Sequence, residues 1–136
     1  MGMVNAEITL KNGRDIGFAQ DGYIKEKDIR SITVTAVVDT GAMNLYIPEE
    51  LQHRLGLGTK GEKIAVTANG QRVPCKVTEP VEVHWKNRET VVRALVIPGG
   101  ERVLLGAIPL EDMDLMVNPV SQELVGVHGD EVVFTA

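Results

Sequence analysis

The sequence predicts an all-β domain, a barrel or a sandwich, and three observations carry that prediction. Apolar and polar residues alternate with a period of two along most of the 136 residues. The chain holds nineteen valines but two Phe, two Tyr and one Trp, and β-branched side chains suit a pleated surface. Turn signals at Asn12-Gly13, Asn69-Gly70, Pro98-Gly99-Gly100 and His128-Gly129-Asp130 divide the apolar runs into short, regularly spaced pieces.

Taken in order, the alternating runs predict strands at residues 4–10, 32–38, 63–67, 71–77, 80–85, 90–97, 103–105, 115–117, 123–127 and 132–134. Two short helices interrupt them. Residues 48–55 begin with Pro48 and place Glu49 and Glu50 at the positive end of the helix dipole. They finish with His53 and Arg54 ahead of Gly56. Residues 109–113 make a second helix of barely more than one turn. No linker, repeat or low-complexity stretch divides the chain, so residues 1–136 read as one domain large enough for a hydrophobic core.

Composition narrows the function classes. A net charge of −5 without a Lys/Arg run offers no surface for tracking phosphates, so no nucleic-acid partner is expected. No apolar run reaches membrane-spanning length. The opening MGMVNAEITL lacks the pattern of a signal peptide, and Ala6 stands where a myristoylation signal wants Ser or Thr. One cysteine, Cys75, excludes an intramolecular disulfide and fits a reducing compartment, so the expected location is cytoplasmic.

Other signals are set aside. Residues 56–61, GLGTKG, match a G-x-G-x-x-G pattern, but they follow a helix and enter a strand, the reverse of a dinucleotide site. His53, His84 and His128 lack metal-ligand spacing and read as surface or hydrogen-bonded residues, and Cys75 has no activating neighbour. Trp85 is expected to pack or cap a sheet edge, and Asp112 and Asp114 to form a solvated face. No metal or cofactor is expected.

One stretch resists a bland reading. AVVDTGAMNLYIP, residues 36–48, ends a hydrophobic strand on Asp39, and a carboxylate there is costly unless it is held or used. Val37-Val38-Asp39-Thr40-Gly41-Ala42, followed by Leu45-Tyr46-Ile47-Pro48 and a helix, resembles the active-site signature of retropepsin-like aspartic proteases. Val103-Leu104-Leu105-Gly106 resembles the family's apolar-apolar-Gly segment. Leu110, Glu111 and Val117-Asn118-Pro119 resemble its closing helix and strand, and residues 65–71 stand where the family has its flap hairpin. The resemblance spans about residues 3–127 and is closest to the short, single-motif bacterial members.

That resemblance implies a single-lobed, closed-barrel-like acid protease fold with one or two short helices. It assigns catalysis to Asp39, Thr40 and Gly41, and substrate contact to Ala42, Ala68, Asn69, Gly70, Leu104, Leu105 and Gly106. Since the chain has no second D-[ST]-G, it implies a homodimer in which two copies of Asp39 meet on a twofold axis. The pair would share a proton, activate a water and hydrolyse a peptide or protein substrate without metal, cofactor or covalent intermediate. The chain departs from the family pattern at Ala107-Ile108, where retroviral members carry Arg and then Asp or Asn, and at Leu45, where many have Ser or Thr. A weak or silent binding or assembly module on the same fold is the alternative.

Overall fold

The computed structural model describes residues 3–136; Met1-Gly2, where the myristoylation pattern begins, lies outside them. Strand β1 (Val4–Asn12) runs antiparallel to β2 (Ser31–Val38), with Val4 opposite Val38 and Lys11 opposite Ser31. The last four residues of β1 pair a second time, with β5 (Arg72–Trp85), from Thr9 opposite His84 to Asn12 opposite Val81. This double pairing closes the sheet. The ring runs β1, β2, β7 (Val103–Leu105), β3 (Leu45–Pro48), β6 (Arg88–Ile97), β5 and back to β1. Strand β4 (Thr59–Val66) stands outside the ring, paired only with β5.

Alternation explains the interior. Ile8, Leu10, Leu45, Ile47, Val81, Val83 and Leu105 point inward and are essentially inaccessible. Each contributes about 1.5–3 kcal/mol on burial. Helix α2 (Glu49–Arg54) closes one flank, placing Leu51 and Leu55 in the same core. Helix α3 (Ala107–Asp112) adds Leu110, followed by Met113. A small second sheet, β8 (Leu115–Val117) with β9 (Leu124–Gly126), completes the packing. Among the described residues no helix is long and apolar enough to cross a membrane.

The fold departs from the expected elements at definite places. Asn12-Gly13 is no hairpin turn. Asn12 caps α1 (Gly13–Gln20), its side-chain oxygen accepting the Asp15 N–H at 3.0 Å while its amide donates to the Leu55 carbonyl at 2.7 Å. Gly13 lies against Pro80, whose carbonyl would stand 2.8 Å from any added Cβ. The described residues therefore form three short α-helices and a 3-10 turn at Glu26–Asp28. Residues 45–48, expected only to lead into a helix, form β3.

The two strands expected at 71–77 and 80–85 are one, β5, with a register shift between Val77 and Pro80. Buried Thr78 pins that bulge, donating to the Glu79 carbonyl at 2.7 Å and accepting the Ala94 N–H at 3.0 Å. Residues 132–134 form no strand. That tail is held by Val133 N–H on Asp114 Oδ2 at 3.0 Å and by buried Arg88, which donates to the carbonyls of Met113, Asp114, Gly129 and Glu131. Asp114 is thus buried rather than part of a solvated face, and it also accepts from His128 at 2.7 Å.

Three carboxylates held this way make the fold acid-sensitive. The Arg30 guanidinium and N–H hold Asp15 below its ordinary value of 3.8. The Gly58 N–H at 2.7 Å and Arg14 at 2.8 Å hold Glu79 below 4.5. The Val133 N–H and His128 hold Asp114 below 3.8. Each folded-state value is depressed, so the stabilisation is present above the unfolded value and disappears as pH falls through the folded one. Urea unfolding across a pH series is expected to show stability falling below about pH 4, with a shallower fall in Asp15→Asn.

Candidate active site

Asp39 follows the last residue of β2, and β7 places it. β7 lies between β2 and β3, parallel to the first (Val37 opposite Leu104, Val38 opposite Leu105) and antiparallel to the second (Leu45 opposite Leu105). Asp39 extends the ladder by one rung, its N–H donating to the Leu105 carbonyl at 3.0 Å. The chain then turns tightly. Ala42 N–H donates to the Asp39 carbonyl at 3.1 Å, and Gly41 N–H to Asp39 Oδ1 at 3.0 Å. That second bond orients the carboxylate, which stays partly open to solvent.

Gly106 lies beneath this loop. Its N–H donates to the Asn44 carbonyl at 3.0 Å, and the next two amides, of Ala107 and Ile108, donate to the carbonyls of Ala42 and Met43 at 2.8 and 2.9 Å. Three successive amides of one segment thus satisfy three carbonyls of the other. A Cβ on Gly106 would stand 2.4 Å from Asn44 O, 2.7 Å from Ala42 O and 2.8 Å from Asn44 N, all backbone atoms that cannot step aside. Gly41 is needed for approach rather than for unusual backbone angles: its φ is not positive, and a Cβ there would meet Asp39 Oδ1 at 3.3 Å.

The residues singled out from sequence fall into two groups. Asp39, Thr40, Gly41, Ala42, Leu104, Leu105 and Gly106 come together at the β2–β7 junction. Leu105 and Gly106 are buried beneath the loop, while Ala42 and Leu104 are half-buried. Thr40 is exposed, and among the described residues its hydroxyl has no hydrogen-bond partner. Ala68, Asn69 and Gly70 lie apart, exposed at the tip of the β4–β5 hairpin. The tip is not a two-residue turn: Thr67 N–H donates to the Gln71 carbonyl at 2.9 Å, enclosing three residues, with Gly70 at φ +83°. Sequence reasoning missed Asn44 and named Ala107-Ile108 only as a departure from the family pattern; all three act here through backbone groups, which leave no side-chain signature.

Side chains elsewhere are occupied. His84 Nε2 lies 2.6 Å from Glu82 Oε1 and 3.6 Å from Glu89 Oε2. Among the described residues this is the trio whose ligand atoms all fall within 4.8 Å of one another. It sits five residues along β1 from the Asp39 end, roughly 17 Å away at strand rise. Cys75 is fully buried, and burial pushes its thiol up. The GLGTKG segment spends its Gly58 amide on Glu79, and β4 begins at Thr59. Trp85 is partly buried against the core under Lys86, whose Nζ lies 4.6 Å from the ring centroid.

A closed barrel whose Asp-Thr-Gly loop rests on an apolar-apolar-Gly strand defines a single-lobed, retropepsin-like aspartic protease domain. The aspartyl protease family model matches residues 26–122, and the chain belongs to that family. Among solved structures, EIAV protease complexed with the inhibitor HBY-793 is 27% identical, with a TM-score of 0.51 over 59% of this chain and 76% of its own. No curated protein matches.

Gly106→Ala is expected to destabilise the domain by about 1–3 kcal/mol or more, because the added methyl can be housed only by separating the Asp39 loop from β7. Urea unfolding measures it. An unchanged midpoint would show that the two segments are not in van der Waals contact.

Proposed function

We propose that the protein is an endopeptidase whose site is completed by a second copy of the chain, with the two Asp39 carboxyls facing each other across a twofold axis. The single observation that carries this reading is the Asp39 loop itself. Its carboxylate is oriented by Gly41 and partly open to solvent, on a fold shared with a retroviral protease. The chain supplies one Asp-Thr-Gly, and hydrolysis by this chemistry uses two carboxyls.

In the assembled site the two carboxyls lie about 3 Å apart and hold one proton between them, because like charges that close cannot both ionise. The ionised oxygen takes a proton from a water between the two groups, and that water attacks the scissile carbonyl. The protonated carboxyl donates to the developing oxyanion. The exposed hydroxyl of Thr40 reaches across to the other copy's loop. The β4–β5 hairpin, with Ala68, Asn69 and Gly70 at its tip, folds over an extended peptide and shields the reaction from water.

Cleavage of a peptide library is the test. Asp39→Asn is expected to abolish turnover. Wild-type specific activity should rise with protein concentration until the dimer saturates, and the pH profile should be bell-shaped. Equal cleavage by the two proteins, or a rate that climbs steadily into alkaline pH, would eliminate the paired-carboxyl reading. A proven dimer that cleaves nothing would leave the fold as a binding or assembly module.

A further inference from the structure

The surface around Asp39 bears on how two copies are held. The segments framing it, residues 40–44 and 106–110, contain no charged side chain. Where retroviral members place Arg and then Asp or Asn, this chain has Ala107 and Ile108. The Ile108 N–H donates to the Met43 carbonyl at 2.9 Å, so these two residues are neighbours on adjoining segments. Both direct apolar side chains outward, Met43 at 59% and Ile108 at 44% exposure.

A lone carboxylate of this kind is half a site, and any twofold axis that brings it to its copy also brings its flanking residues together. Those residues carry no charge, and Met43 and Ile108, whose side chains face outward, are apolar. An arrangement of ion pairs here would weaken as salt screens it, whereas apolar contact is unaffected or strengthened. Apolar walls also exclude water from the shared proton.

We infer that the second copy docks through an apolar, salt-insensitive contact seated on Met43 and Ile108 of both chains, flanking the Asp39 pair. This rests on the dimeric reading above and states what replaces the charged pair in the contact.

Sedimentation equilibrium of the full chain, at about 0.05 M and about 1 M NaCl, tests it. Wild type is expected to associate as tightly or more tightly at the higher salt. Ile108→Asp should weaken association at least about tenfold, since each copy would carry an unpaired carboxylate into the contact. Position 108 lies in the first turn of α3, where an acidic residue suits the helix, and thermal unfolding confirms that the variant folds. Met43→Glu provides an independent second perturbation with the same expected loss. Asp39→Asn should associate at least as tightly as wild type while losing activity. A dimer that high salt dissolves, with both surface variants as tight as wild type, would overturn this inference and leave the dyad standing. A chain monomeric at every concentration would overturn both. Cleavage by Asp39→Asn at the wild-type rate with association lost only in the surface variants would overturn the dyad alone.

Discussion

The molecule turns on the passage of β7 beneath the Asp39 loop. Four backbone hydrogen bonds join the two segments: Asp39 to Leu105, Gly106 to Asn44, Ala107 to Ala42, and Ile108 to Met43. They can form together only because Gly106 carries no side chain, letting the peptide planes approach to a distance at which a methyl would overlap carbonyl oxygen. The same passage joins β2 to β3 through β7, so the strands that close the barrel and the loop that presents the carboxylate depend on one contact. Stability and site geometry are therefore not separable here. Whatever loosens β7 also releases Asp39.

Around that junction the chain answers the usual difficulty of irregular backbone, which must find partners for its polar groups. Asn12 links the start of α1 to the end of α2, and Thr78 closes the bulge in β5. Arg88 collects four carbonyls from the far end of the chain, its Nε being the buried side-chain atom left without a partner among the described residues. Asp15 and Glu79 are held by Arg30 and Arg14, whose side chains remain about half exposed. Most of these groups fix connections between strands, and Asp15 and Glu79 do so with carboxylates that must remain ionised.

Much of this was legible in the sequence, and the boundary follows the range of the interactions. The period-two alternation exposed the major strands because burial alternates along them, and Asp39-Thr40-Gly41 with Leu104-Leu105-Gly106 was visible because that chemistry and close packing demand particular residue types. Asn12-Gly13 misled because the same dipeptide suits a hairpin or a cap, and the choice was made by Asp15 and Arg30, fifteen positions apart. Residues 71–85 looked like two strands because Thr78-Glu79-Pro80 interrupts the alternation, whereas a hydroxyl bonded to Ala94 carries the strand through. Asp114 looked solvated because its partners, His128 and Val133, come from the chain's last residues. Contributions made by peptide groups alone, as at Asn44, leave no trace in residue identity.

Strand β4 has a mechanical meaning. Its ladder runs along β5 alone, its first residue is tied to α2 by Gln52 Nε2 donating to Thr59 Oγ1 at 3.0 Å, and a small separate nucleus of Cys75, Val77 and Leu95 lies under its base. None of the six ladders of the ring includes it. The hairpin is therefore an arm on a closed drum: from Cys75 outward it can fray from its tip without breaking a rung of the drum, whereas Lys76 and Val77 remain paired with Val96 and Leu95.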